Sequence, residues 1–451
     1  MLIRFGVANF LSFKEETVLN MIPAKSRKMK NHIISDTVNR KTELLPLAVV
    51  YGNNASGKSN LIAALQYMQS FVFRGTVPGA ETGVIPFALD KDSRNEPSRF
   101  EVIFRHEDVV YTYGFVASPN LVHEEWLFGY FSSQESLVFE RVSAENGETT
   151  VKYGSRLLKE KGRKFLDVYA SATRQEQLFI TEAFARNTKT VKPVIDWFRS
   201  SLLVITPHTA FTSIDLKAKQ DLKSRSFLEK FLLAADTGIR KVFCEEEDFD
   251  PSKHLKELPE ILVRDILNQL SLRGEGTLNI NMPGAAAVLS KRGNLIKYLE
   301  MRFGHAGADG EVFPIDKEME SDGTKRLIEI APALDAVRSK DVVLVIDELD
   351  RSLHTYITRF YIQTFLAEVV ESRHRSQLIF STHDTNLLDR DLFRKDEIWF
   401  LEKDEEGASH ISSLAEYSIN KGLNYENGYL NGRFGSIPFL GDIDWVLKED
   451  V

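Results

Sequence analysis

The sequence feature that most constrains this chain is the stretch Gly52–Ser59, which reads GNNASGKS. It matches the pattern of a glycine, four further residues and then Gly-Lys-Ser or Gly-Lys-Thr that forms a phosphate-binding loop. An apolar run, Leu44–Tyr51, precedes it and is typical of a buried strand. Residues 60–73 repeat apolar side chains at helical spacing. The predicted order is therefore strand, glycine loop and helix.

The chemistry of phosphate binding explains this spacing. Gly52 and Gly57 allow backbone N–H groups to approach a phosphate, and a helix beginning near Lys58 directs its positive dipole end at the same group. Lys58 can bridge the β- and γ-phosphates, and the Ser59 hydroxyl can hold Mg²⁺. A glycine turn before an ordinary helix is the alternative, but it leaves the lysine and the serine without a role. The predicted cofactors are ATP and Mg²⁺, and the predicted nucleotide contacts are Gly52, Asn53, Asn54, Ala55, Ser56, Gly57, Lys58, Ser59 and Asn60.

Composition limits the class of protein. The chain has 451 residues and a formal net charge of −8, which allows about two or three domains and gives no overall nucleic-acid signature. The single cysteine, Cys244, excludes a disulfide framework and a cysteine-rich zinc site. No apolar run has transmembrane length, and the first residues lack the apolar core of a secretion signal. We therefore expect a cytoplasmic protein that does not contact a membrane.

Apolar periodicity predicts an α/β fold. Period-two alternation before residue 130 predicts an antiparallel meander, and residues 155–275 show mostly helical spacing. The acidic run Glu245–Asp248 is expected to be a solvated loop. Strand-like sequence returns at 276–303.

A second strand ends in two acids. Val342–Ile346 is apolar and is followed by Asp347 and Glu348. Asp347 can reach Mg²⁺, and Glu348 can orient the water that attacks the γ-phosphate. Any buried strand that meets solvent could end this way, but a phosphate-binding loop in the same chain favours the mechanistic interpretation. His383 follows a further apolar strand and suits a contact to the γ-phosphate, although a histidine at a strand end is often structural.

Residues 321–324, Ser-Asp-Gly-Thr, precede a predicted helix and form a candidate second anion site. A single ATP does not need two such sites from one chain. The sequence therefore predicts that Ser321, Gly323 and Thr324 contact the γ-phosphate of an ATP that is held by another subunit.

Together these motifs resemble those of the ABC-type ATPases of the RecF, SMC and OLD group. GNNASGKS resembles their Walker A motif, SDGT their signature, VVLVIDE their Walker B, LDRSLH their D-loop and STHD their H-loop. The resemblance implies an ABC-type P-loop ATPase head, with a mixed sheet, flanking helices and an antiparallel β lobe, split by a mostly helical insertion. The predicted division is 1–130 for the N-terminal part of the head, 131–305 for a mainly helical insertion or lid, and 306–451 for the C-terminal part and tail.

Within that group the chain most resembles the AbiLi/RloA-like ATPases, which are stand-alone AAA-family ATP-binding proteins of bacterial phage-defence and abortive-infection systems. The segments YGNNASGKSNL and IDELDRSLH carry this narrower resemblance. It implies a cytoplasmic ATPase that forms a homodimer or higher oligomer through ATP-sandwiched heads. It also implies a separately encoded effector, a nuclease or a toxin.

The resemblance also implies a role for each matched residue. Nucleotide binding is implied for Gly52, Asn54, Gly57, Lys58 and Ser59, and Mg²⁺ ligation for Ser59 and Asp347. Glu348 is implied to activate water and His383 to contact the γ-phosphate. Contact with the γ-phosphate of an ATP on the opposite subunit is implied for Ser321, Gly323 and Thr324, and communication across the dimer for Asp350. Asp322 departs from the glycine of ABC transporters.

Three functional hypotheses follow. The first is an enzyme that hydrolyses ATP to ADP and phosphate as a nucleotide-driven dimer switch in anti-phage defence. The second is a DNA-binding repair ATPase, for which the best local patch is Lys159, Lys161, Arg163 and Lys164, although a solvated helix face would show the same residues. The third is a slowly hydrolysing scaffold that sequesters a toxin.

Overall fold

The computed structural model describes residues 1–26, 29–35, 43–144, 148–160, 162–207, 221–256, 258–272, 275–282, 285–372, 374–418 and 424–435. The strands are β1 (Leu2–Ala8), β2 (Thr17–Asn20), β3 (Ile34–Ser35), β4 (Glu43–Leu44), β5 (Leu47–Tyr51), β6 (Ser98–His106), β7 (Val109–Ser118), β8 (Leu121–Tyr130), β9 (Ser136–Ser143), β10 (Thr149–Tyr153), β11 (Leu202–Ile205), β12 (Ile239–Asp248), β13 (Gly276–Met282), β14 (Ala285–Arg292), β15 (Leu295–Ala306), β16 (Val312–Asp316), β17 (Val343–Ile346), β18 (Gln377–Ser381), β19 (Ile398–Lys403) and β20 (Ser409–Ser413). The helices are α1 (Lys58–Arg74), α2 (Ser155–Leu158), α3 (Leu166–Ala172), α4 (Phe179–Ala185), α5 (Lys192–Asp196), α6 (Leu222–Ala234), α7 (Pro251–His254), α8 (Glu260–Leu272), α9 (Asp322–Val337), α10 (Thr355–Glu371) and α11 (Tyr425–Leu430).

The chain divides into two compact units. The first unit consists of Met1–Val204, Asp341–Asp347 and Arg375–Val451, and the second of Ile205–Lys340 and Glu348–His374. One of the divisions therefore falls between the two neighbouring acids at the end of β17. The sequence-based boundaries at 130 and 305 stay predictions.

The first unit contains a six-stranded mixed sheet in the order β11-β17-β18-β5-β19-β20. The four central strands, β17, β18, β5 and β19, pair in parallel, and β20 pairs antiparallel to β19. Every residue of β5 is buried, because a central parallel strand is covered on both faces and selects the apolar sequence LAVVY. The predicted strand before the glycine loop is confirmed, although it begins at Leu47 rather than at Leu44.

The same unit contains a seven-stranded antiparallel sheet in the order β10-β9-β8-β7-β6-β1-β2. The predicted meander is confirmed as β6, β7 and β8, and the apolar side of α1 is buried at Leu61, Leu65, Met68 and Val72 as expected. One hydrophobic core runs through α1 and both sheets. The Gln377 amide joins them further, since its Oε1 accepts the backbone N–H of Leu2 at 2.6 Å.

The second unit contains an antiparallel sheet in the order β12-β15-β14-β13, with β16 also paired to β15. The apolar side of α8 and residues of β13 and β14 form a separate core. The helices α9 and α10 contact each other, and the buried Tyr361 hydroxyl donates to the Ile330 carbonyl at 3.0 Å. Among the described residues of both units, no helix is long and apolar enough to cross a membrane.

The sequence-based prediction was wrong for the acidic run Glu245–Asp248, which belongs to β12 and not to a loop. Its charges are accommodated by cations nearby: Asp248 pairs with Lys297 at 2.6 Å, and Glu245 pairs with Arg302 at 3.6 Å. The described part of 131–305 is consequently a mixture of helices and strands, since residues 155–275, with their mostly helical spacing, also contain β11 and β12.

Candidate nucleotide-binding site

Three segments with predicted site residues leave the central sheet at one edge. β5 leads into the loop Gly52–Ser59, β17 leads into Asp347, and β18 leads towards His383. The strands are neighbours in the order β17-β18-β5 and run parallel, so their carboxyl ends lie at the same edge. This edge is where open parallel sheets bind their ligands. The structure thus brings the end of β5, at Tyr51, to the same sheet edge as the ends of two strands far along the sequence, at Ile346 and Ser381.

The backbone of the glycine loop adopts conformations that an anion-binding loop requires. Gly57 has φ 111° and directly precedes α1, and Ala55 has φ 63°. A Cβ at Gly52 would collide with the Ser56 hydroxyl and would lie 2.5 Å from the Leu401 carbonyl oxygen. The 17-residue helix α1 therefore begins directly at the loop, with its positive dipole end there.

Lys58 lies across the loop that precedes it. The side chain is 5 % exposed, and Nζ donates to the carbonyl oxygens of Gly52 and Asn53 at 2.8 Å each. These acceptors belong to the turn that would surround a phosphate. The ammonium is thus held beside the loop amides, where a phosphate oxygen can replace the carbonyl acceptors.

Two serines that the sequence analysis missed support the loop. The Ser409 hydroxyl, at the start of β20, donates to the Ser56 carbonyl at 2.7 Å. The Asn60 side chain donates to the Ser12 hydroxyl at 2.8 Å, and the Ser12 carbonyl accepts the N–H of Ser409 at 2.7 Å. Among the residues that the structure describes, the buried Ser56 hydroxyl has no hydrogen-bond partner. No sequence pattern marks Ser12 or Ser409, because their role depends on contacts between distant segments.

Asp347 is buried at the end of β17 and is 5 % exposed. Its Oδ1 accepts the hydroxyl of Ser381, the last residue of β18, at 2.5 Å. Ser59, in the first turn of α1, is exposed. An aspartate and a serine hydroxyl are oxygen ligands of the kind that Mg²⁺ prefers, so this donor set fits the predicted metal. Ser381 was also missed by the sequence analysis.

His383 lies two residues beyond β18 and is exposed. The next residue, Asp384, receives the N–H of Asn386 at 3.0 Å and donates its own N–H to the Thr382 hydroxyl at 3.0 Å. These bonds fix the turn that carries the histidine.

Glu348 begins a tight turn that belongs to the second unit. Its φ of 49° is left-handed, and its carbonyl accepts the N–H of Arg351 at 3.1 Å. The same carbonyl accepts a guanidinium N–H of the buried Arg326, which lies in α9, at 3.0 Å. Asp350, half-buried in this turn, accepts the N–H of Leu353 through its carbonyl at 2.9 Å.

The predicted signature residues open the helix α9. The Ser321 hydroxyl accepts the N–H of Thr324 at 3.2 Å and lies 2.9 Å from the Thr324 hydroxyl. Gly323 packs against the turn after β17, since a Cβ there would lie 2.7 Å from the Ser352 carbonyl oxygen. Ser321 and Asp322 are exposed. Within the second unit, the signature turn and the Glu348–Ser352 turn are therefore in contact.

A strand, a glycine loop with its lysine, a helix, and an acid at the end of a neighbouring parallel strand define the class of P-loop ATPases. A family model described as "AAA domain, putative AbiEii toxin, Type IV TA system" matches residues 47–389. The chain belongs to this family. No curated protein matches the chain.

Solved structures of SMC heads are similar to the chain at low identity. The SMC head domain from Thermotoga maritima is 12 % identical over 93 % of this chain and 99 % of that chain, with a TM-score of 0.38. An SMC head bound to the C-terminal winged-helix domain of ScpA is 11 % identical over 94 % and 99 %, with a TM-score of 0.42. An SMC head with an extended coiled coil, bound to the C-terminal domain of ScpA, from Pyrococcus furiosus, is 12 % identical over 96 % and 98 %, with a TM-score of 0.33.

Proposed function

We propose that the protein binds ATP with Mg²⁺ and hydrolyses it to ADP and phosphate in sites shared between two copies of the chain. The observation that supports this most strongly is the common sheet edge at which the glycine loop, Asp347 and the segment bearing His383 follow three parallel strands. A nucleotide held by the loop would meet the acid from the neighbouring part of the same sheet.

In this proposal the first unit binds the nucleotide. The loop amides and the Lys58 ammonium hold the β- and γ-phosphates, and the Ser59 hydroxyl and the Asp347 carboxylate are the metal ligands. Bound Mg²⁺ would neutralise the charge that develops on the phosphate oxygens. His383 contacts the γ-phosphate. The Ser381 hydroxyl donates to Asp347 Oδ1 and thereby holds the carboxylate in place.

The second unit supplies the residues that complete the reaction. The Glu348 carboxylate orients the attacking water and accepts its proton. Ser321, Gly323 and Thr324, at the positive end of the 16-residue helix α9, contact the γ-phosphate of an ATP bound to the opposite subunit. Asp350 carries communication across the dimer. ATP binding thus closes a head-to-head homodimer, and hydrolysis opens it.

We propose anti-phage defence with a separately encoded effector as the biological role of this switch. The description of the family, which names a toxin and a toxin–antitoxin system, supports a toxic output. The effector, a nuclease or a toxin, would respond to the closed or open state of the dimer. This role places the protein in the cytoplasm.

Light scattering tests the switch directly. We expect Glu348→Gln to bind ATP without hydrolysing it, because the amide cannot accept the proton of the attacking water. The variant should then form a stable dimer with ATP and remain smaller without it. Equal size with and without ATP would contradict a nucleotide-driven switch and would favour a scaffold. Glu371→Gln, an exposed acid at the end of α10, is the matched control.

A further inference from the structure

One stretch of this acidic chain carries a surplus of positive charge. Residues 155–192 contain nine Lys and Arg but four Asp and Glu, whereas the whole chain has a net charge of −8. The stretch lies in the first unit and includes α2, α3, α4 and the beginning of α5. A concentration of cations against the overall charge indicates a local electrostatic preference for a polyanion.

Four of these cations form what we call the basic face. The basic face consists of Lys159, Arg163, Lys164 and Lys189. All four side chains are exposed, and in the described part of the chain none of them forms an ion pair. Two neighbouring cations, Arg186 and Lys192, are instead paired with Glu182 and Asp196. Among the described residues, none of the four charges of the basic face is therefore neutralised in an ion pair.

Backbone contacts bring the two segments of the basic face together. The Glu160 carboxylate accepts the backbone N–H of Lys189 at 2.5 Å and that of Thr190 at 3.0 Å. It also accepts the Thr190 hydroxyl at 2.5 Å. Glu160 therefore fixes the turn after α4 beside the turn after α2, and its own oxygens are engaged by neutral donors.

A small cleft of about 30 Å³ lies between these turns. Arg163 and Arg186 line it, together with Thr188, Tyr169 and Glu160, whose carboxylate oxygens accept backbone N–H groups. Hydroxyl and guanidinium donors at one concave place suit a phosphodiester oxygen.

Exposed apolar side chains interleave with the cations. Phe165 is 46 % exposed, and the Lys164 ammonium lies 5.1 Å from the centroid of its ring. The ring also lies 6.4 Å from that of Tyr169 with nearly parallel planes. Positive side chains next to exposed aromatic rings are the combination by which proteins hold single strands, because unpaired bases stack on the rings.

We propose that the basic face and Phe165 bind single-stranded nucleic acid, with the cations on the phosphodiester backbone and Phe165 under a base. An anionic membrane is the other polyanion to consider. The helices here, α2 and α3, have four and seven residues, which is short for an amphipathic helix that lies in a membrane surface. The binding of a single strand goes beyond ATP hydrolysis and does not require it.

Fluorescence anisotropy with labelled oligo-dT and oligo-U of about 20 nucleotides tests the proposal, because a single site covers about 4–16 nucleotides. The intact chain should bind at about 50 mM salt and lose affinity steeply towards 200 mM. Replacing the four cations by alanine should weaken binding at least about tenfold and lower the salt slope by about 3. Tighter binding of oligo-dT or of oligo-U would identify the ligand as DNA or RNA.

The variant Phe165→Ala distinguishes the binding of a single strand from the binding of a duplex. We expect it to weaken binding of the single strand about tenfold and to leave binding of a duplex unchanged, since paired bases are not available for stacking. The matched control removes four cations that are ion-paired: the exposed Lys152, Lys253 and Arg264 and the half-buried Lys297.

Four results would overturn the proposal. The first is that the intact chain binds neither oligonucleotide at low salt, and the second is that the control variant weakens binding as much as the loss of the basic face does. The third is that a duplex binds as tightly as the single strand and Phe165→Ala has no effect. The fourth is that the chain binds phosphatidylserine vesicles but no nucleic acid. Thermal melting of every variant checks that a loss of binding is not a loss of fold.

Discussion

The glycine loop and the signature turn are both short turns that open a helix, yet they differ in burial and in the origin of their hydrogen bonds. The glycine loop is buried at its base, although Asn54, Ala55 and Ser59 are exposed: Ser56 is 1 % exposed, Lys58 is 5 % exposed, and Ser409 donates to the loop from another segment. In the signature turn, Ser321 and Asp322 are exposed. Its hydroxyls bond within the turn itself, from Ser321 to Thr324.

The difference indicates where each turn obtains its ligand. A loop whose base is buried and braced by other segments of its own chain is organised to hold a phosphate before anything else arrives. A turn that opens a 16-residue helix and faces solvent leaves its dipole end accessible, as the proposed contact with an ATP on the opposite subunit requires. The comparison therefore favours binding in one subunit and completion of the site by the other.

The largest expected effect follows from Lys58→Ala. Removing the ammonium from a loop built around phosphate should lower turnover about 1,000-fold and weaken ATP binding. Turnover and nucleotide affinity are measured by phosphate release and by fluorescence of a labelled ATP. Arg74→Ala, at the other end of α1, is the control and should behave as wild type. Unchanged ATP binding by Lys58→Ala would contradict the proposal that the glycine loop binds the nucleotide.

Ser321→Ala should distinguish the role of the signature turn from that of the glycine loop. If the signature serves the opposite subunit, the variant should bind ATP as wild type and hydrolyse it about 100-fold more slowly, because one donor to the γ-phosphate is lost. The same two assays distinguish binding from turnover. Ser339→Ala, which lies just beyond the other end of α9, is the control. A loss of ATP binding by Ser321→Ala would place the signature in the same subunit's site.

Ser409→Ala tests whether the bracing of the glycine loop matters. Loss of the hydrogen bond to the Ser56 carbonyl should cost about 1 kcal/mol and raise the KM for ATP about fivefold with little change in kcat. Ser412→Ala, in the same strand, is the control, since its hydroxyl contacts Tyr417. Identical kinetics of both variants would show that the loop needs no support from β20.

The smallest effect concerns stability and not turnover. Glu397 is buried beside His32, with Oε1 3.0 Å from Nδ1, and burial raises the pKa of its carboxyl. The folded chain therefore keeps this proton to higher pH than the unfolded chain, so wild type loses stability as the pH rises above about 4.5.

Glu397→Gln removes that contribution. Its Tm should rise relative to wild type by a few degrees, roughly 1–4 °C, as the pH increases from about 4.5 to 7. The exposed Glu405→Gln is the control and should follow wild type. A constant difference in Tm across this range would contradict the raised pKa.

Local sequence patterns predicted the elements that depend on neighbours in the chain. The glycine loop, the helix after it and the buried strand before Asp347 all follow from spacing and apolar content. The supports at Ser12, Ser381 and Ser409 could not be predicted, because a serine acquires its role from tertiary contacts. The strand at Glu245–Asp248 was missed for a related reason: its acids are tolerated in β12 through ion pairs with residues far along the chain.

The most direct test of a shared site is to mix two inactive variants. Lys58→Ala lacks a working glycine loop but keeps its signature, and Ser321→Ala has the opposite defect. In an equal mixture about half of the dimers contain one of each, and each mixed dimer has one intact composite site, so about a quarter of wild-type turnover should return. Turnover equal to the sum of the two separate variants would show that each chain completes its own site.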